Sequence, residues 1–143
     1  MNKIDSFRGE YTFLSNFYPC QSQILYEGEW YRSVEHAFQA AKSIDPQERR
    51  NLRQFCRTAA EAKKFGRTVT LRKDWNNIRL DVMYQIVRDK FTRNSDLQEK
   101  LLATSNSHLV EGNWWHDTFW GVCDGKGENH LGKILMRVRK ELT

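Results

Sequence analysis

Cysteine, proline and long apolar runs are all scarce in this chain, and each scarcity excludes something. The three cysteines, Cys20, Cys56 and Cys123, are odd in number and far apart, and no C-x-x-C occurs. That pattern argues against a disulfide framework or a zinc ribbon and fits reduced thiols in a cytoplasmic protein. No stretch approaches the roughly 20 apolar residues of a membrane span. The opening MNKIDSFRGEYTFL holds no apolar core of signal-peptide length, so neither membrane nor export is expected. Pro19 and Pro46 are the only prolines. With no linker, repeat or low-complexity tract, the 143 residues read as one domain, 1–143.

What is present is aromatic and basic. Five Trp, five Tyr and eight Phe supply large buried areas and faces that stack on flat ligands. The net charge is +5. Its surplus centres on Arg49, Arg50, Arg53, Arg57, Lys63, Lys64, Arg67, Arg72 and Lys73, which favours an anionic partner such as a phosphate or nucleic acid. Glu48 and Glu61 intersperse the run, so most of it reads as a solvated helix face and a few residues as phosphate contacts. No helix-turn-helix, RRM or zinc signature accompanies it.

The first thirty residues read as extended, with SQILYEGEWY alternating around a Glu-Gly turn like a hairpin. Ser33 caps a helix running to about Ser43. Pro46 opens a helix over 46–56, Thr58 caps a third that closes at Gly66, and Asp74 caps the longest. In that helix Trp75, Ile78, Val82 and Ile86 recur at helical spacing, widened by Met83, Val87 and Phe91. Ser95 caps a further helix, and a last one covers LGKILMRVRKEL with Ile134, Leu135 and Val138 inward. Many helices and few strands, without βαβ alternation, predict an α+β fold, mostly helical with a small N-terminal β element.

Three places could carry chemistry. In SVEHAFQAAKS, Glu35 stands in a first helical turn and shares a face with Gln39, four residues on. It is either a charge favoured by the helix dipole or a working carboxylate kept ionised by it. His36 points away from it. His108, His116 and His130 lack metal-ligand spacing, so no metal site is expected. Between Trp114 and Gly132, Asp117 and Trp120 precede DGKGENHLG and a helix. Gly125, Lys126 and Gly127 could bring backbone N–H groups to an anion, and Asn129 could cap the helix or bond a ligand. The alternative is a plain glycine turn. It is not a Walker A loop, because Gly127 follows Lys126. Trp75 is either core or a stacking face for a base.

Taken together, LSNFYP (14–19), SVEHAFQAAK (33–42), LRKDW (71–75), LLAT…HLVEG (101–112) and DTFWGVCDGKGENHLGKILMRVR (117–139) resemble the NADAR (YbiA-like) family, in family order and across nearly the whole chain. The resemblance implies a compact single α+β domain and an N-glycosidase without cofactor or metal. One implied substrate class is a small phosphorylated nucleoside-like molecule of the riboflavin-pathway type, cleaved between ribose phosphate and an aminopyrimidine base. The other is ADP-ribosylated guanine, free or in DNA, from which ADP-ribose is removed. A binding module that reads ADP-ribose without cleaving it is the non-enzymatic counterpart. Carried over by position, Glu35 and Asp117 are the catalytic candidates. Asn16, Phe17, Trp75, Trp120, Gly125, Lys126, Gly127 and Asn129 are the substrate-binding ones. Glu35 would stabilise the cationic sugar and take a proton from water, and Asp117 would orient a ribose hydroxyl or assist proton transfer. Those two roles are interchangeable at this level. Trp75 and Trp120 would wall the base, Asn16 would bond its edge, and basic groups near the 125–129 loop would hold phosphate.

Overall fold

The computed structural model describes residues 2–143. In chain order the elements are β1 (Lys3–Ile4), a 3-10 helix (Gly9–Leu14), β2 (Ile24–Tyr26), β3 (Glu29–Tyr31), α1 (Val34–Ala41), α2 (Pro46–Phe55), α3 (Ala59–Phe65), α4 (Trp75–Arg93), α5 (Ser95–Ala103), β4 (His108–Leu109), β5 (Gly112–Asn113), β6 (Val122–Cys123) and α6 (His130–Leu142). The fold class is α+β, as expected. The N-terminal thirty residues are not simply extended. Phe13 and Leu14 are adjacent and both buried, which a strand cannot achieve because successive side chains point to opposite faces. The 3-10 turn solves this.

The chain divides into two units, Asn16–Asn94 and the stretch up to Ser15 together with Ser95–Thr143. In Asn16–Asn94, β2 and β3 pair antiparallel with Ile24 opposite Tyr31 and Tyr26 opposite Glu29. Glu27 and Gly28 both have positive φ, 46° and 82°, the two-residue turn whose twist matches a hairpin. The Leu25 N–H donates to Asp89 Oδ2 at 2.9 Å, tying the hairpin to α4. Packed by this hairpin and by α2, α3 and α4 is α1, and all eight of its residues are buried. Ser33 caps it by accepting the His36 N–H at 3.2 Å. His36 Nε2 donates to the Cys56 carbonyl at 3.1 Å, so its Nδ1 accepts the Ser33 hydroxyl proton at 2.7 Å. The histidine is a satisfied core residue.

Thr58 and Glu61 form a reciprocal capping box on α3. Asp74 does not cap α4 through its side chain. Its carboxylate is held by Arg72, from Nε at 2.7 Å and Nη2 at 3.2 Å, and a bidentate guanidinium is a stronger partner than a backbone N–H. The α4 stripe holds Trp75, Val82, Met83, Ile86, Val87 and Phe91, with Ile78 only half-buried. Lys90 joins that stripe at 1% exposure.

In the other unit β1 pairs parallel with β4, and β5 with β6. Its core includes Leu97 and Leu101 of α5 and Leu131, Leu135 and Val138 of α6. Arg139 is buried and donates to Thr104 Oγ1 at 2.9 Å. No helix among the described residues is long and apolar enough to cross a membrane.

Burial pushes the His36 imidazole below its ordinary value, against the smaller raising effect of its bond to Cys56. A histidine with a lowered folded pKa is more protonated in the unfolded chain, so its contribution is complete above about pH 6.5 and is lost as pH falls below that. The unfolding free energy from urea melts is expected to drop between pH 7.5 and 5.5, by at most about 1.4 kcal/mol per pH unit from this group. A His36→Gln chain should show a flatter pH dependence.

Candidate functional site

The α1 face that carries Glu35 also carries Phe38, Gln39 and Lys42, at spacings of three, four and seven residues that place them in one row. Glu35 is 7% exposed. Its backbone N–H, left without an intrahelical partner at the helix start, donates to the Asn16 carbonyl at 3.0 Å. That bond brings the S-N-F segment to the N-terminus of α1. Its carboxylate Oε2 accepts from Gln39 Nε2 at 2.5 Å.

Aromatic rings border the row. Trp75 lies 5.0 Å from Phe38, centroid to centroid, at an interplanar angle of 56°. The segment leading to Trp75 is pinned to the end of α1, because the Arg72 N–H donates to the Lys42 carbonyl at 2.8 Å. Trp75 and Phe38 are 6% and 5% exposed, so both rings lie inside and neither offers an open stacking face. Phe17 is 41% exposed, with Lys63 Nζ 6.0 Å from its ring centre. The Asn16 side chain points to Met83 Sδ at 3.6 Å.

Cations complete this site. Burial pushes the Lys42 ammonium below the usual lysine range. The Glu35 carboxylate pulls it back up, and Lys63 and Arg67 add to the lowering. Lys42 thus feels the attraction of one carboxylate and the repulsion of two further cations. Other members of the basic run are engaged structurally. Arg49 pairs with Glu27 at 2.8 Å, Arg53 lies 3.7 Å from Glu29, and Arg72 holds Asp74. Sequence reading missed Lys42, although its place seven residues after Glu35 was a legible signal.

The D-x-x-W-G segment belongs to the other unit. Asp117 Oδ1 accepts the N–H groups of Phe119 at 3.1 Å and Trp120 at 2.9 Å. Its own backbone is clamped by Asn113, whose Oδ1 accepts the Asp117 N–H and whose Nδ2 donates to the Asp117 carbonyl. The same Nδ2 reaches Glu111 Oε2 at 3.1 Å, a second carboxylate beside Asp117 that the sequence did not single out. Trp120 is half-buried, edge-on to Phe119 at 4.8 Å and near His130 at 6.4 Å.

The glycine loop departs from the expected anion cradle. Cys123 and Lys126 exchange backbone bonds at 2.8 and 3.0 Å, and Asp124 and Gly125 between them have positive φ. This is a two-residue hairpin turn. Of the expected cradle, the Lys126 N–H is used by this turn, and at the start of α6 Glu128 donates to Thr118, Asn129 to Gly121, His130 to Phe119 and Leu131 to Trp120. Gly127 is glycine for φ +150° and because a Cβ there would overlap the Gly121 carbonyl oxygen. Asn129 has αL backbone and makes no side-chain cap. Its side chain instead donates to the Leu109 carbonyl and accepts the Glu111 N–H, both at 3.0 Å. A cleft of about 630 Å³ in this unit is lined by Tyr11, Phe13, Lys100, Thr104 and Asn106 among others, none of them singled out by the sequence. Among the described residues no three His, Cys, Asp or Glu side chains group to hold a metal.

Comparison with known proteins matches the family model of the NADAR domain to residues 5–143. A riboflavin biosynthesis protein of Vibrio vulnificus is 43% identical over 133 residues, which are 91% of this chain and 35% of that protein. The chain thus spans about a third of that relative. The N-glycosidase YbiA of Escherichia coli K12 is 35% identical over 136 residues, covering 94% of this chain and 83% of YbiA. The NMR structure of E. coli YbiA superposes with a TM-score of 0.83 at 34% identity, over 99% of this chain and 86% of that one.

The two Asp117 bonds need an acceptor oxygen, not a charge. Asp117→Asn should keep its thermal midpoint close to the parent. Asp117→Ala should lose on the order of 1 kcal/mol in denaturant unfolding, the usual cost of an unfilled turn or cap acceptor.

Proposed function

The chain belongs to the NADAR family, and on that footing we propose that it is a hydrolase of N-glycosyl bonds, cleaving between a ribose phosphate and an aminopyrimidine or guanine-like base. One observation carries this reading. A buried carboxylate, Glu35, stands in the first turn of a helix that also packs Phe38 against Trp75, and it attracts the Lys42 ammonium.

Each part suits the reaction. As the C1′–N bond breaks, its electron pair leaves on the base nitrogen and positive charge gathers on the sugar. The Glu35 carboxylate stabilises that charge and takes a proton from the water whose oxygen bonds to C1′. The departing base nitrogen gains a proton, and the products are free base and ribose phosphate. A helix N-terminus favours the charged form of a carboxylate in its first turn, which offsets part of the cost of burial. Lys42, Lys63 and Arg67 are cations suited to the phosphate, and the basic side chains near the 125–129 loop are the candidates that family position gives. Phe17, the exposed ring of the group, suits the flat base, Phe38 and Trp75 add buried aromatic surface to the same unit, and Asn16 suits the edge of the base.

Asp117 and Trp120 keep the roles assigned by family position, orientation of a ribose hydroxyl and a wall for the base. Asp117 would do so through the oxygen not engaged by Phe119 and Trp120. The aminopyrimidine substrate is favoured by the name of the Vibrio relative and by the two cations, Lys63 and Arg67, that act on Lys42. Release of ADP-ribose from modified guanine is the competing outcome, and binding without release defines the non-catalytic reading.

Incubation with ribosylaminopyrimidine phosphate and with an ADP-ribosylated guanine oligonucleotide, followed by mass spectrometry of free base and sugar, separates the three. Base release from the first alone supports the proposal. A Glu35→Gln chain should stay folded and lose on the order of a hundredfold or more in kcat, and unchanged turnover would remove Glu35 from the reaction. Lys42 gives a pH signature. Its charge is present at low pH and is lost as pH rises through a pKa held below the ordinary lysine value. KM for the phosphorylated substrate should therefore rise on the alkaline side earlier than an exposed lysine would cause. In Lys42→Gln, KM should be high and flat with pH.

A further inference from the structure

Gly66, which closes α3, has φ −59° and ψ −19°. Any L-residue adopts that conformation, so the left-handed cap that a glycine commonly supplies after a helix is not the reason for this one. Space is the reason. A Cβ on Gly66 would overlap Gln39 Oε1 and lie 2.7 Å from its Cδ and 3.1 Å from its Cβ.

Gln39 is itself unusual. It is 4% exposed, its Nε2 donates to Glu35 Oε2, and its Oε1 is buried with no hydrogen-bond partner among the described residues. A buried acceptor left unpaired is costly, yet the other orientation is worse. An ionised carboxylate only accepts, so a flipped amide would set oxygen against oxygen. The side chain is thus committed to one orientation, donor toward Glu35 and acceptor against the bare backbone of Gly66.

We propose that Gln39 is a positioning residue that fixes the Glu35 carboxylate for reaction, and that Gly66 is a specific partner whose missing side chain makes that position possible. The inference rests on the reading of Glu35 as the working carboxylate. Gln39 acts through Glu35, and Gly66 acts through Gln39, so their effects form a chain rather than a sum.

The test uses Gly66→Ala, Gln39→Met and the double variant, with Gln39→Met keeping the side-chain length but removing the donor. Three quantities are read: kcat and KM, the pH profile of kcat, and the titration of the Glu35 carboxyl carbon by NMR. Each single variant is expected to lower kcat by about tenfold to a hundredfold, the scale of a small misplacement of a reacting group, with KM within about twofold. Both should move the Glu35 titration, and the acid limb of kcat, to higher pH, because a donor to the charged form has been withdrawn. In the Gln39→Met background, Gly66→Ala should add little in kcat or in the titration, since the amide it displaces is already gone. An unmoved Glu35 titration in both single variants overturns the proposal, as does full additivity in the double variant.

The NMR readout needs no turnover, which separates this inference from the functional one. Active Glu35→Gln with a shifted titration would sink the catalytic role and leave the positioning intact. Inactive Glu35→Gln with an unshifted titration would sink only the positioning.

Discussion

The complete burial of α1 constrains most of what surrounds it. A helix of eight buried residues has to find partners for its polar side chains within the protein, and all but the Gln39 Oε1 acceptor do so among the described residues. His36 does so through Ser33 and the Cys56 carbonyl, and Glu35 through bonds that include Gln39. The start of the helix is closed by the Asn16 carbonyl, and its end is tied by Arg72 to the segment that starts α4. The packing that builds the core of Asn16–Asn94 is the same packing that orients the proposed catalytic carboxylate.

Charge in this unit sorts by environment rather than by sequence position. Arg49, Arg53 and Arg72 lie in a run of basic residues, but each reaches a carboxylate on a nearby turn or strand. Lys90 is the opposite case. It is fully buried, its pKa is pushed down to about 8 by desolvation, and its ammonium lies 5.8 Å from the Tyr18 ring and 5.0 Å from the Phe91 ring. Lys63 and Arg67 act instead on Lys42, which the Glu35 carboxylate attracts in turn.

Glycine carries three different physical meanings here. Gly28 and Gly125 supply positive φ in two-residue turns. Gly127 supplies φ as well but also clears the Gly121 carbonyl, and Gly66 clears a side chain with ordinary φ. The run DGKGENHLG looks like an anion loop because glycines precede a helix. Its amides instead close on the carbonyls of Thr118, Phe119, Trp120 and Gly121, and a helix N-terminus whose donors are taken has little left to offer an anion.

The sequence by itself determined the α+β class, the hairpin at Glu27-Gly28, the capped helix at Ser33 and the pairing of Glu35 with Gln39. Those features follow from local periodicity, capping chemistry and spacing within one helix, which a linear pattern records. The family likeness was legible because its motifs are short and contiguous. Tertiary structure alone decided that α1 has no exposed face, that Lys90 is inside, that Asp74 prefers Arg72 to a cap, and that Gly66 faces Gln39. Each depends on groups distant in sequence meeting in a dense interior, where the cost of an unpaired polar atom or a misplaced Cβ is set by neighbours that no local pattern encodes.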